Sequence, residues 1–302
     1  MIHNPQNYNT ESEVAGYIAE CENGFYAQLK DAAEKIISCC VRTVTLSGPS
    51  CSGKTTTAHR LIELLSSRGH RAHMVSIDDF YRDRDDAATK ITKTGEIKPD
   101  YESIASIDVA AFEHFADAFS RGDEAVMPVF DFKSGTRAGE RTLSVGEGEI
   151  VILEGIQTVY PEIVGALDAD KNISVHISVA QPLSVGGVTF EPHEVRLMRR
   201  LVRDFEYRSA SPDTTFYLWD EVRENEIVNI EPRVPSCEVK IDSLLPYEVG
   251  VISLYLRAVL SHLPVGSVYD EQAEKLLSMV REVREISQSL VPENSVLQEF
   301  LH

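Results

Sequence analysis

Short apolar, β-branched runs alternate along this chain with stretches whose apolar residues recur every three or four positions. That is the pattern of strands interleaved with helices. Residues 41–46 predict a buried strand, and residues 54–67 a helix with Ala58, Leu61, Ile62 and Leu65 on one face. Residues 71–77 predict a second strand that ends in acidic residues. Over residues 107–120, Ala111, Phe112, Phe115, Ala118 and Phe119 mark a half-buried helix. A short strand at 126–130, a hairpin ending near Val145 and the apolar strand 150–153 follow. In 172–179, Ile173, Val175 and Ile177 alternate with polar residues, as a strand requires. Residues 192–207 predict a basic helix, 237–241 a last strand, and 247–263 a largely buried helix. A helix at 25–38 precedes the first strand, and a charged helix and a short final segment follow residue 268. There Asn294 or Ser295 can cap a turn whose Val296, Leu297, Phe300 and Leu301 are too apolar to leave in water, so the segment is expected to dock. The alternation predicts an α/β fold with a mainly parallel sheet flanked by helices. It divides into an N-terminal helical segment (1–40), a core domain (41–263) and a C-terminal helical extension (264–302) packed on that domain.

Charge narrows the function classes. The formal net charge of -19 argues against a general nucleic-acid or anionic-membrane surface, so an anionic ligand must meet a local cluster of positive groups. The polar start of the chain does not read as a signal peptide, and the apolar stretch 249–263, interrupted by Arg257, falls short of a membrane span. Cys21, Cys39, Cys40, Cys51 and Cys237 lack metal-ligand spacing and fit free thiols in a reducing cytoplasm. A homo-oligomer is compatible with the sequence.

Between the first strand and the following helix stands Gly48-Pro49-Ser50-Cys51-Ser52-Gly53-Lys54-Thr55, a Walker A pattern. Its glycines allow a tight turn whose backbone N–H groups face phosphate oxygens, and the helix beginning at Lys54 adds the positive end of its dipole. This assigns Gly48, Ser50, Cys51, Ser52, Gly53, Lys54, Thr55 and Thr56 to ATP, with Lys54 on the β- and γ-phosphates and Thr55 on Mg²⁺. Cys51 reads as a small loop filler, with a redox switch as the alternative.

Two carboxylates end strands at the edge that carries this loop. Asp78 suits the base that accepts a hydroxyl proton, and Glu154 the group that helps hold Mg²⁺. The other reading of Asp78-Asp79 is a helix cap or solvated turn. On the basic helix, Arg196, Arg199, Arg200 and Arg203 share one arc, opposite Leu197, Met198, Leu201 and Phe205, with Arg208 just beyond. Such an arc predicts a lid whose guanidinium groups neutralise a transferring phosphoryl group. The alternative is a solvated face with ion pairs such as Arg200 to Asp204.

The order GPSCSGKT at 48–55, SIDDFYRDR at 76–84, MPVFDFKSGTR at 127–137, ILEGI at 152–156 and RLMRRLVRDFEYR at 196–208 resembles the uridine kinase and phosphoribulokinase family. The resemblance spans about residues 25–302. It implies a P-loop kinase fold with a helical lid, ATP with Mg²⁺, and a small-molecule phosphate acceptor. It implies catalytic roles for Lys54, Asp78, Arg200, Arg203 and Arg208, and a magnesium-side role for Glu154. On the acceptor side it implies Tyr81, Phe130, Arg137 and Glu102, the last where nucleoside kinases place a ribose-binding aspartate; Asp100 is the substitute.

The departures also fall on the acceptor side. Phe130 and Gly135 stand where uridine-cytidine kinases carry a base-reading tyrosine and histidine, and Ala210 where they often carry an arginine. Loss of hydrogen-bonding groups loses discrimination for the partner that used them. The expected activity is therefore ATP-dependent phosphorylation of a hydroxyl on a nucleoside or other polyhydroxylated metabolite, with phosphoribulokinase-like or pantothenate kinase-like acceptors as alternatives. An ATP-binding regulator without turnover is a rival class. A GTPase switch is not, since no N-K-x-D segment occurs.

Overall fold

The computed structural model describes residues 8, 10–91 and 97–301. Helix α1 (Glu11–Ser38) leads into β1 (Thr43–Ser47), and α2 (Lys54–Ser66) carries the chain to β2 (Ala72–Ser76). A small ribbon, β3 (Thr89–Ile91) and β4 (Ile97–Pro99), precedes α3 (Val109–Arg121). The hairpin of β5 (Ala125–Asp131) and β6 (Thr136–Leu143) leads to β7 (Ile150–Glu154), the short α4 (Pro161–Gly165) and β8 (Asn172–Ser178). A second hairpin, β9 (Leu183–Val185) and β10 (Val188–Phe190), enters α5 (Pro192–Arg208). Next come α6 (Pro212–Asn225), a π turn at Glu226–Ile230 and β11 (Val239–Asp242). Helices α7 (Glu248–Leu260), α8 (Asp270–Arg281) and α9 (Gln298–Leu301) follow.

The central sheet runs β11-β8-β1-β7-β2, every pairing parallel. From β1 the chain goes out to the β2 edge, returns to β7 beside β1, and then crosses to β8 and β11. The carboxyl ends of β1, β7 and β2 therefore share one edge, where ligands of open α/β sheets bind. Helices cover both faces, so β1 and β7 are buried throughout; β7 is apolar up to Glu154, while in β1 Thr43, Thr45 and Ser47 alternate with Val44 and Leu46. Along β7, Ile150 and Ile152 enter one core, while Val151 and Leu153 enter a second with Phe80, Phe112 and Phe115.

The strands of the central sheet and most of the longer helices fall close to where the periodicity predicts; the β3–β4 ribbon, α4 and the β9–β10 hairpin have no predicted counterpart, and two helices differ as well. Helix α1 begins at Glu11 rather than residue 25, started by a Thr10–Glu13 capping box. Its buried stripe (Val14, Tyr17, Ile18, Phe25, Leu29, Ala32 and Ile36) is diluted by charged residues and two glycines, which hides its first half from a pattern reading. Helix α6 has no counterpart in the predicted elements, because Phe216, Trp219 and Val222 form a narrow stripe among polar residues.

The larger core is continuous across residues 40/41 and 263/264. It joins α1, β1, α2, α5 and α7 to the tail, where Val296, Leu297, Phe300 and Leu301 are all buried. Ser295 caps this last turn by accepting from the Leu297 amide at 3.1 Å. Phe300→Ala is expected to lower the unfolding free energy by about 3–5 kcal/mol, the usual cost of emptying a fully buried aromatic site. Urea denaturation measures it; an unchanged midpoint would mean the tail does not contribute to the core.

Candidate active site

Backbone sterics shape the phosphate loop. A side chain at Gly48 would lie 2.3 Å from the Ile177 carbonyl oxygen, so only glycine lets the loop leave β1 here. Cys51 adopts a left-handed conformation at φ 57°, and Gly53, at φ 88°, opens α2. A left-handed non-glycine residue costs roughly 1–3 kcal/mol and persists only where its surroundings hold it.

Buried arginines of α5 hold it. Arg199, fully buried, donates to the Cys51 carbonyl at 3.1 Å and pairs in two-pronged fashion with buried Glu248 at 2.6 and 2.8 Å. Arg196 donates to the Ser50 carbonyl at 3.0 Å and pairs in the same way with Glu226 of the π turn, at 2.6 and 2.8 Å. This corrects the helical-wheel expectation of four guanidinium groups facing outward. Both faces of α5 are packed, because a helix crossing beneath the loop is covered by α6, α7 and the tail as well. Only Arg200, Arg203 and Arg208 remain for the cleft, sharing the single carboxylate of Asp204 at 3.1, 2.7 and 3.7 Å. The Arg200–Asp204 ion pair read from the sequence is thus present. Three guanidinium groups on one carboxylate leave surplus positive charge beside the loop, where Arg200 also reaches the Ser50 hydroxyl at 3.2 Å.

Carboxylates face this charge. The Thr55 hydroxyl donates to Glu154 at 3.4 Å, joining the loop to the end of β7. Burial pushes the Glu154 carboxyl up to about 7; Asp78 and Glu299 add repulsion, and Lys54 and the Thr55 bond oppose it. Asp78 stands on the 3-10 turn after β2, its amide donating to the Ser76 hydroxyl at 3.3 Å. Burial in the cleft raises its carboxyl to about 6, against attraction from Lys54 and Arg208 and with repulsion from Glu102 and Asp79. Lys54 donates to the Pro49 carbonyl at 3.1 Å and lowers both carboxyls.

Such crowding of negative charge around Thr55 suits a divalent cation. Among the described residues no three His, Cys, Asp or Glu converge as a cage. The Ser52 hydroxyl, buried inside the loop without a protein partner, has a donor to offer a phosphate.

On the acceptor side, Tyr81 is buried among Tyr101, Phe130 and Phe132 at ring-centroid distances of 5.4, 5.5 and 6.1 Å. Its hydroxyl donates to the Tyr101 carbonyl at 2.8 Å and accepts from Gln157 at 2.9 Å. Glu102 accepts from Asn225 at 3.0 Å, and Asn225 in turn accepts from Tyr160 at 2.9 Å. Burial raises the Glu102 carboxyl, with Arg200 the strongest opposing charge. Asp100 is taken up by Lys90 at 3.1 Å, which leaves Glu102 as the carboxylate facing Asp78. Arg137 is a strut: it pairs with Asp108 at 2.8 Å and reaches the Tyr81 carbonyl at 3.3 Å. Asp79 ties the β5–β6 hairpin in place through the Phe130 amide at 3.4 Å and Arg141 at 3.2 Å. Gln157, Tyr160, Asn225 and Trp219, which lies under Arg196 and Arg200, escape a sequence reading. Gln157 alone has a local signal, two residues beyond Glu154-Gly155.

A phosphate loop on a parallel sheet, with carboxylates at the neighbouring strand ends, defines an ATP-dependent phosphotransferase that acts on hydroxyl groups. Within that class the chain belongs to the Phosphoribulokinase / Uridine kinase family, whose model matches residues 43–249. It is similar to the uridine kinase of Deinococcus deserti, 28% identical over 190 residues, which is 63% of this chain and 81% of that one. It is also similar to the inorganic pyrophosphatase TTM2 of Arabidopsis thaliana, 27% identical over 202 residues, 66% of this chain but 25% of that one. A solved structure of a possible uridine kinase from Bacillus stearothermophilus aligns with a TM-score of 0.46 at 16% identity, over 72% of this chain and 98% of that one. No helix among the described residues is long and apolar enough to cross a membrane.

Arg199→Met leaves Glu248 buried without its partner and is expected to cost about 3–5 kcal/mol. Adding Glu248→Gln should recover part of that loss, a coupling that a double-mutant cycle by chemical denaturation measures. Additive effects of the two substitutions would show that the pair does not act as a unit.

Proposed function

We propose that this enzyme transfers the γ-phosphoryl group of ATP to a hydroxyl of a nucleoside or another polyhydroxylated small molecule, with Asp78 as the base. The observation that carries this reading is the place of Asp78, buried on the turn at the carboxyl end of β2, on the sheet edge that carries the phosphate loop and within electrostatic reach of Lys54 and Glu102. A hydroxyl held between them loses its proton to Asp78 as its oxygen attacks the γ-phosphorus. The bond from that phosphorus to the bridging oxygen breaks, and ADP leaves. Lys54, Arg200, Arg203 and Arg208 neutralise charge on the transferring group. Thr55 and Glu154 would hold Mg²⁺, which supplies further neutralisation of the phosphates.

Glu102 with Asn225 offers a carboxylate and an amide to vicinal hydroxyls, while Tyr81, Tyr101 and Phe130 form an aromatic wall. Arg84 closes the position that distinguishes this chain from uridine-cytidine kinases. Its guanidinium lies 2.6 Å from where a side chain at Gly135 would begin, and Gly135 itself has φ 71°. A base-reading imidazole has no room there unless Arg84 moves, and Phe130 brings no hydroxyl.

A raised carboxyl is protonated below its pKa and useless as a base, so activity should be lost as pH falls. Asp78 ionises at about 6 and Glu154 at about 7, so kcat/KM is expected to decline from about pH 7 through pH 6. Asp78→Asn should lower kcat by roughly 10²–10⁴-fold while ATP affinity holds. It should also raise the melting temperature of the ligand-free protein at pH 8, where the ionised carboxylate is unfavourable in the fold. Collapse of ATP affinity with kcat intact would instead place Asp78 in the nucleotide site.

The acceptor is tested by presenting uridine, cytidine and non-nucleoside polyols with ATP and Mg²⁺, using Lys54→Ala as the inactive control. Two unpaired polar groups at about 1–3 kcal/mol each predict that uridine is used a few hundredfold less well than by a kinase that reads the base. Uridine turnover at about 10⁴ M⁻¹s⁻¹ or more would overturn the expectation that uridine is a weak acceptor.

A further inference from the structure

The C-terminal segment does more than fill a core. Glu299 of α9 accepts from the Thr56 hydroxyl at 2.7 Å and from the Thr56 amide at 3.3 Å. Thr56 is the third residue of α2, so its amide is one of the first four of the helix, which have no partner within it. These are the donors that a helix N-terminus behind a phosphate loop presents to an anion. The carboxylate also stands in the field of the cleft, since it raises the Glu154 carboxyl and favours the charged form of Arg203.

Its approach is built rather than casual. Val296 presses on the loop: its methyl lies 2.4 Å from where a side chain at Gly53 would begin. Phe300 lies under the guanidinium of Arg199, 5.0 Å from its ring centroid, and Arg60 donates to the Asn294 carbonyl. Four buried apolar side chains thus fix the backbone that carries Glu299, whose own side chain is only half-buried.

We propose that Glu299 is an internal competitor of the nucleotide: its carboxylate occupies a phosphate-oxygen position at Thr56, and ATP binds only after that side chain swings away. The proposal rests on the nucleotide reading of the phosphate loop given above. A carboxylate and a phosphate oxygen need the same two donors, and both being anionic they cannot share them. The ligand-free site is thereby held closed to weak anions, and a triphosphate displaces the carboxylate because it also engages Lys54 and the rest of the loop.

Titration calorimetry of the full chain with Mg-ATP and with adenosine tests this in wild type, Glu299→Gln, Glu299→Asp and Lys54→Ala. Charge-assisted hydrogen bonds of this strength predict that Glu299→Gln binds Mg-ATP about tenfold more tightly than wild type. Adenosine, which has no phosphate, should bind both equally. Glu299→Asp, whose shorter arm reaches Thr56 less well, should fall between. The thermal shift induced by Mg-ATP should be larger in Glu299→Gln than in wild type, because the ligand-free variant has lost a helix cap that the nucleotide restores. Equal or weaker Mg-ATP binding by Glu299→Gln, with binding lost in Lys54→Ala, would overturn the competitor role and leave the kinase reading intact. An equal gain for adenosine would overturn it too, since the effect would not lie at a phosphate. Absence of Mg-ATP binding in wild type and Glu299→Gln alike, with Lys54→Ala indistinguishable, would remove both readings.

Discussion

The phosphate loop depends on two buried guanidinium–carboxylate pairs behind it. Cys51 holds a left-handed turn that its side chain disfavours, and the carbonyls of Ser50 and Cys51 point away from the cleft into Arg196 and Arg199. With the carbonyls turned back, the amides of the loop are free to face the ligand. Each guanidinium is paired with a buried carboxylate, Arg196 with Glu226, which also takes Arg223, and Arg199 with Glu248. Burying such ions is costly, and they are tolerated because every prong of the fork is used. Elements far apart in the chain, the π turn, α7 and the tail, therefore converge on eight residues of loop.

Charge in the cleft is arranged differently. A chain with net charge -19 collects Lys54, Arg200, Arg203 and Arg208 at one place and gives the last three a single carboxylate partner. Opposite them, Asp78, Glu102 and Glu154 are crowded enough that burial and mutual repulsion hold their carboxyls above the usual range. The site is pre-organised for charge that it does not itself contain, which is the general basis of phosphoryl-transfer catalysis.

The region around Tyr81 and Glu102 is held by hydrogen bonds, aromatic packing and ion pairs between its own residues. Tyr81, Gln157 and the Tyr101 carbonyl are linked by hydrogen bonds, and Glu102, Asn225, Tyr160 and Asn229 by others. Arg137 and Asp79, both in motifs that resemble acceptor-site sequences, serve to fasten the hairpin and the turn that carry these groups.

Much of this was legible in the amino-acid sequence. The parallel sheet, the phosphate loop and the strand-end carboxylates are local: each depends on periodicity or spacing within a dozen residues, and backbone sterics then leave few alternatives. Long-range pairing is not local, and there the sequence was mute or misleading. The arc of arginines on α5 looks outward on a helical wheel, yet Arg196 and Arg199 are buried, because Glu226 and Glu248 come from elements 30 and 49 residues away. The resemblance points to Glu102 with Asp100 as its substitute, and the fold pairs Asp100 with Lys90 and Glu102 with Asn225. The tail could be predicted to dock from its apolar residues, but not where. Its meeting with Thr56, 243 residues earlier, was decided by the shape of the surface that α1, α2, α5 and α7 leave open. The sequence by itself determined the chemistry available to this protein, since chemistry resides in residue types at short spacing; the tertiary structure alone decided which charges are spent holding the loop and which are left to act on a ligand.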